Sequence, residues 1–386
     1  MKSPARTTLS VVFSAAVFRM AARCFAACLL ALLFVAPMGG QETQEKIDID
    51  DVSRTYVVHL PQGYDQKQHY PVVILLHSQN QDADDLGRLT HFSQFAEKNG
   101  VIVVYPNAAR GHWNIGVRPE QQDVMPRRGM GRRGGYPGGG GYPGGGGGYP
   151  GGGGGYPGGG QNPGQQTPDQ GRNRPEPDDV AFLNQMIDQL ALKYAIDSHR
   201  IYAVGLGDGG FMAERAGCSL ADRIAAIGVV SASFPKAMIC LPARPVAALF
   251  IDGTDDPIVP YGGGMYKPGK FHVLSAEESA KTWAKFDRCE EKPAQGKIPP
   301  ADNDKGSKET KTFTFNGCHD NAQVVLDAVK NGGHTWPGGE QYTSEKEVGK
   351  TSHALNANET LWSFLLTKTI ADDSSGQSGS KSSPEK

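Results

Sequence analysis

Two uninterrupted apolar runs, Pro71 to His77 (PVVILLH) and Val101 to Tyr105 (VIVVY), are the strongest structural signals along the chain. Runs of this length without polar alternation predict strands buried on both faces, as at the centre of a parallel sheet. Tyr56 to Leu60 has strand character as well. Between the two runs, apolar positions from Leu86 to Lys98 recur at helical spacing and stop at Asn99-Gly100, a helix terminus. The alternation resumes downstream. Asp178 and Asp179 cap a predicted helix to Tyr194, with Val180, Leu183, Met186, Ile187 and Leu190 on one face. Strand Ile201 to Val204, a short helix after Gly210, and strands Ala225 to Val230 and Val246 to Ile251 follow. Helix Ala276 to Phe286, strand Val324 to Val329 and a helix from Asn356 to Leu366 complete the set. Strands alternating with helices predict an α/β fold with a mostly parallel central sheet and helices on both faces.

Three segments break this pattern. Lys2, Arg6, Arg19 and Arg23 precede a 13-residue apolar run, Cys24 to Ala36. The run is too short for a bilayer span, which needs about 20 residues, and suits a secretory signal cleaved near Gly39 or Gly40. Residues 1–40 are therefore read as a signal peptide, and residues 41–52 as a polar lead. The second segment, 127–165, repeats Tyr-Pro followed by glycines, with tyrosines at 136, 142, 149 and 156. Of the 51 glycines, 21 lie between Gly129 and Gly160, so the rest of the chain has ordinary usage and is globular. So many glycines cannot be ordered by the little apolar area available, and a flexible insertion is expected. It reads either as a tolerated repeat in a surface loop or, beside Arg127, Arg128, Arg132 and Arg133, as an adhesive segment of an envelope-associated structural protein. The third segment, 369–386, is a polar tail expected to be disordered. The domain itself is expected over 53–126 and 166–368.

Basic and acidic residues number 39 and 41, with no basic stripe, which disfavours nucleic acid as a partner. Removing residues 1–40 gives a charge of −6, no transmembrane span, and four cysteines: Cys218, Cys240, Cys289 and Cys318. In an oxidising compartment these favour the local pairing, Cys218 with Cys240 and Cys289 with Cys318. Neither C-x-x-C nor H-E-x-x-H occurs, so no metal site or cofactor is expected.

The chemistry is concentrated where strand Ile201 to Val204 runs through Gly205-Leu206-Gly207-Asp208-Gly209 into a helix. This is the strand, sharp turn and helix context of a nucleophile elbow, G-x-S-x-G, in which small residues flank a strained bend. Here the centre is Gly207, which has no side chain to attack a carbonyl. The stretches Asp178 to Met212, Asp252 to Tyr261 (DGTDDPIVPY) and Gly332 to Gly339 (GGHTWPGG) resemble the secreted polyhydroxybutyrate depolymerase and feruloyl esterase family of the α/β-hydrolase superfamily. With Pro71 to Asn107, the resemblance covers most of residues 53–366 outside the insertion.

The resemblance implies an α/β-hydrolase fold and hydrolysis of carboxylic esters of hydroxyalkanoate oligomers or feruloylated sugars, so an ester, polymer or saccharide ligand. It also implies the local disulfides and three site positions: Gly207 at the vacant nucleophile, Asp256 as the acid, with Asp255 its confusable neighbour, and His334 as the base. The expected roles are proton transfer by His334 and fixing of its tautomer by Asp256. Where the family has a glycine after the histidine of its first long strand, near the oxyanion hole, this chain has His77 followed by Ser78. Asp208 places a carboxyl beside the other expected oxyanion donor, its own backbone N–H, where negative charge would oppose the developing oxyanion. Ser78, Asp208, His77 and Trp336 are thus expected at the oxyanion site or pocket, with Arg110 and Trp113 as further lining candidates. The expectation is a binding relative that has lost most or all of its hydrolysis. The alternative is a working ester hydrolase using Asp208 or Ser78 as nucleophile.

Overall fold

The computed structural model describes residues 40–120, 176–300 and 309–371. The Gly-Tyr-Pro insertion, residues 1–39 of the expected signal peptide and most of the expected tail lie outside the described residues. Strands β1 (Gln41–Ile49), β2 (Val52–Leu60), β3 (Tyr70–Leu76), β4 (Ile102–Pro106), β5 (Ile196–Leu206), β6 (Ala226–Val230) and β7 (Ala247–Gly253) come first in the chain. A small separate hairpin, β8 (Gly264–Tyr266) and β9 (Phe271–Val273), precedes β10 (Ala294–Ile298), β11 (Thr310–Phe315) and β12 (Val324–Val329). Apart from the hairpin, the strands form one sheet in the order β1-β2-β4-β3-β5-β6-β7-β12-β11-β10. From β4 to β12 the neighbours are parallel, and both margins are antiparallel. The mostly parallel centre follows from the continuous apolar runs, since every residue of β3, β4, β6 and β7 is buried.

Helices cover both faces. On one side lie α1 (Ala83–Thr90), α2 (Phe92–Asn99) and α7 (Ala357–Leu365), packed with Val73, Leu75, Val103 and Leu249. On the other lie α3 (Asp179–Lys193), α4 (Asp208–Ser219) and α5 (Ala276–Phe286), packed with Val72, Ile74, Ile227 and Phe250. The alternate residues of one strand serve the two cores, as the period of a strand requires. A short helix, α6 (Glu345–Val348), lies between β12 and α7.

Three expectations need adjustment. The helix expected across Leu86 to Lys98 is two helices, because His91 adopts a left-handed conformation (φ 52°) that ends α1 and opens α2. The polar lead at 41–52 contains β1, an edge strand paired antiparallel with β2, whose outer residues are polar because one face meets solvent. Strands β10 and β11 extend the opposite margin, where the sequence shows no apolar run. The disulfides form as expected, Cys218–Cys240 and Cys289–Cys318, closing separations of 22 and 29 residues.

Between α4 and β7 two carboxyls are buried with little compensation. Among the described residues, both oxygens of Glu214 lack a partner, as does Oδ2 of Asp252, whose Oδ1 accepts the Ala232 N–H at 3.1 Å. Burial pushes both groups well above the ordinary carboxylate range, and charge on Asp252 raises Glu214 further as charge on Asp256 raises Asp252. Burial also pushes Asp287 up to about 8. Raised acids hold protons in the native state that the unfolded chain releases near pH 4, so their stabilisation is complete at low pH and is lost as pH rises through the native values. Thermal unfolding followed by circular dichroism should therefore show a falling Tm from pH 7 to pH 9. Glu214→Gln should raise stability at pH 9 by about 1 kcal/mol or more and flatten this slope. An unchanged slope would mean that Glu214 is not the protonated group.

Candidate active site

The residues singled out by sequence converge at the carboxyl ends of the parallel strands, where open α/β sheets place their sites. Strand β5 ends at Leu206, the chain bends at Gly207 (φ 55°, ψ −114°), and α4 begins at Asp208. The flanking glycines are sterically required. A Cβ on Gly205 would lie 2.0 Å from the Gly209 carbonyl oxygen, and one on Gly209 would lie 2.1 Å from that of Leu76. The bend is tied to the neighbouring strand by Gly207 N–H donating to the Val230 carbonyl at 2.9 Å. The strand, sharp bend and helix expected of an elbow are thus present, with no side chain at the centre.

Side chains from two other strand ends close on the space a side chain at Gly207 would take. A Cβ built there would stand 2.6 Å from His334 Nε2 and 2.6 Å from Ser78 Oγ. His334 follows β12 and is buried, and its Nδ1 lies 2.9 Å from Asp256 Oδ2. Asp256, also buried, uses Oδ1 to accept the N–H groups of Ile258 and Val259 at 2.7 and 2.8 Å. These bonds hold the carboxylate still, so it orients Nδ1–H of His334 and leaves Nε2 turned to the elbow. Asp255, by contrast, is exposed and pairs locally with Thr254, which resolves the ambiguity between the two aspartates. Tyr342, which no sequence signal marked, donates its hydroxyl to the His334 carbonyl at 3.0 Å.

His77 is buried; its Nδ1 lies 2.7 Å from the Ser78 carbonyl and its Nε2 accepts the Ala108 N–H at 3.0 Å. Burial lowers its pKa, so it stays neutral and acts as a brace for the loop after β4. The backbone N–H of Ser78 is engaged by Gln81 Oε1 at 3.1 Å. Asp208, at the first position of α4, uses Oδ2 to accept the Trp113 N–H at 2.7 Å. Burial pushes its carboxyl up to about 6, against the lowering effect of the Trp113 bond. The N–H groups of the first helical turn, starting at Asp208, have no intrahelical acceptor. Beside them, Gln79, Trp113, Val117, Asp208 and Phe271 help line a cavity of about 320 Å³.

Two expected lining residues stand elsewhere. Trp336 is fully buried in the core beneath α7 and donates Nε1–H to Asn358 Oδ1 at 2.8 Å, so it supports the His334 loop and does not face the cavity. The reason is its size: an indole next to the His334 loop gains more by filling the core than by lining a wet cleft. Arg110 pairs with Glu176 and borders a different cavity with Asp50 and Asp51.

The loop carrying Trp113 is positioned by residues that gave no functional signal. Arg54 and Asp179, each 2% exposed, form an ion pair at 2.5 Å. Arg54 also donates to the Asn107 carbonyl at 3.1 Å, and Asp179 Oδ2 accepts the Asn114 N–H at 2.6 Å. Trp113 Nε1–H donates to the His77 carbonyl at 2.9 Å. Among the described residues, no cluster of three or more His, Cys, Asp or Glu side chains could hold a metal ion.

No protein-family model matches the chain. Feruloyl esterase B of Piromyces equi is 34% identical over 166 residues, a match covering 41% of this chain and 29% of that protein. Feruloyl esterase D of Neurospora crassa is 23% identical over 188 residues, covering 49% of this chain and 55% of that protein. The chain thus spans less than two thirds of the length of these curated relatives. Among solved structures, an acetyl xylan esterase from Aspergillus awamori aligns over 76% of this chain and 94% of its own, at 12% identity and a TM-score of 0.44. The chain has the α/β-hydrolase fold, and its curated homologues are esterases, feruloyl esterases among them.

Proposed function

We propose that this chain is an exported, ester-binding relative of the carboxylic ester hydrolases, in which hydrolysis at the elbow has been lost or strongly impaired. One observation carries the reading: the elbow holds glycine at its centre, with an intact His334–Asp256 pair aimed at the place where a nucleophile is lacking. The base has nothing there to deprotonate. Removal of the serine from an enzyme of the same triad logic costs about 10⁶ in turnover, which would bring a typical rate of about 10 s⁻¹ down to roughly one event per day. Asp208 does not restore the missing group, since its carboxylate is turned to the Trp113 amide.

Two features support a ligand of this class. The cavity beside the elbow is walled partly by Trp113 and Phe271 and carries polar groups at Gln79 and Asp208, a mixture suited to an apolar acyl or aryl group with polar ends. The curated relatives are named as feruloyl esterases, and feruloyl esters are the first compounds to try. Export is supported by two disulfides, which persist in oxidising compartments. No helix of the described residues is long and apolar enough to cross a membrane.

Calorimetric titration of the mature protein with methyl ferulate, followed by recovery of the ester, tests this reading. Saturable binding with the ester recovered intact after hours is expected. Absence of binding by this ester and by short-chain aliphatic esters would sink it.

A further inference from the structure

We infer that Ser78 is a relocated nucleophile that carries whatever slow acyl transfer this chain performs. The proposal rests on the reading that esters occupy the cleft at Gly207. Ser78 stands at the end of β3, across the cleft from the elbow. The point where a Cβ of residue 207 would sit is 2.6 Å from both Ser78 Oγ and His334 Nε2. The hydroxyl therefore lies within about 5 Å of the imidazole nitrogen, with the space between them free of any side chain from Gly207. The proposed step requires Oγ to close to hydrogen-bond range of the base across this shared space.

Three further features fit this assignment. Ser78 is 7% exposed, so its side chain is largely shielded from bulk water. Its hydroxyl is not committed to any hydrogen bond found among the described residues, while its N–H is held by Gln81, so the backbone is fixed and the side chain is left free to turn. His334 Nε2 is likewise uncommitted, its Nδ1 being occupied by Asp256. The helix α4 starts at Asp208, directly after the bend, and the N–H groups of its first turn, which lack intrahelical acceptors, are the donors this proposal assigns to an oxyanion.

The step balances without any added group. Ser78 Oγ bonds to the ester carbonyl carbon as its proton passes to His334 Nε2, and the carbonyl oxygen takes the negative charge toward the start of α4. Collapse breaks the carbon–oxygen bond to the alcohol, which leaves with the proton from His334. Water, deprotonated by the same nitrogen, then releases the acid and returns the hydrogen to Ser78 Oγ. The geometry is looser than that of an elbow serine, since Ser78 is on a loop without the strained bend that fixes a nucleophile, and a low rate follows.

The test is labelling of the full mature protein with a fluorophosphonate, with peptide mapping by mass spectrometry, beside slow release of p-nitrophenol from p-nitrophenyl butyrate. The expected result is a phosphonyl adduct on the peptide containing Ser78, and a loss of at least about tenfold in residual release in both Ser78→Ala and His334→Gln. The circular dichroism spectrum and Tm of Ser78→Ala should match those of the wild type, showing that this variant is folded. An adduct on another residue, or no adduct together with residual release unaffected by Ser78→Ala, overturns the proposal while leaving ester binding intact. Failure of the wild type to bind the ester is the separate result that would remove the reading beneath it.

Discussion

The double variant Gly207→Ser, Ser78→Gly is expected to hydrolyse a short-chain chromogenic ester at least about 10³-fold faster than the wild type. The elbow already has its bend, its flanking glycines and its base. A hydroxymethyl group at residue 207 would supply the missing oxygen directly in front of His334 Nε2. The second substitution matters because the site has closed around the glycine. The new Cβ meets both His334 and Ser78 at 2.6 Å, closer than real Cβ contacts allow. Replacing Ser78 by glycine removes one of these obstacles, whereas Gly207→Ser alone must push both aside. The double variant should therefore exceed the single one. Serine must also adopt φ near 55°, so a loss of about 1–3 kcal/mol in stability is expected with the gain in rate. Initial rates and thermal melts on the two variants check both parts. A folded double variant with no gain in rate would mean that the remainder of the site has decayed.

The largest stability effect is expected at Arg54. Its guanidinium is buried, paired with Asp179 and stacked 4.0 Å above the Phe182 ring. Arg54→Leu would leave the Asp179 carboxylate buried without its cation, which costs about 3–5 kcal/mol. Replacing both residues by leucine should be milder, because no lone charge remains. The functional consequence is distinct. Asp179 Oδ2 holds the Asn114 N–H, and the adjacent Trp113 N–H is held by Asp208, so the pair anchors the cavity wall from behind. Chemical denaturation should show the stability loss, and calorimetry should show weaker ester binding even at temperatures where the variant is folded. Unchanged stability would mean that the pair is compensated by water.

The parallel centre of the sheet was legible because strands buried on both faces leave continuous apolar runs, as in PVVILLH and VIVVY. The margins were not. Residues Gln41–Ile49 and Ala294–Ile298 carry polar side chains to solvent, so edge pairing leaves only a weak alternation. The boundary at His91 was hidden because a left-handed histidine at a helix junction looks like any polar helical position. At the site, Gly207 was legible from the strand, turn and helix pattern and His334 and Asp256 through the family resemblance alone, and the structure places the three together. Trp336 was misplaced because its adjacency to His334 in sequence says nothing about the direction of its ring. The pairing of Arg54 with Asp179 left no trace, since the two lie 125 residues apart, Arg54 alone reads as a surface charge and Asp179 as a helix cap. Ser78 was visible as a departure, yet its closeness to His334 is a property of the folded cleft.

The central claim is that the elbow of this chain presents no attacking atom. Its most direct test is the turnover number of the wild-type protein on p-nitrophenyl butyrate, measured with enough protein to follow a few events per molecule. The account predicts a rate below about 0.01 s⁻¹, far under the typical enzymatic value of about 10 s⁻¹. A wild-type rate at that typical value would contradict it.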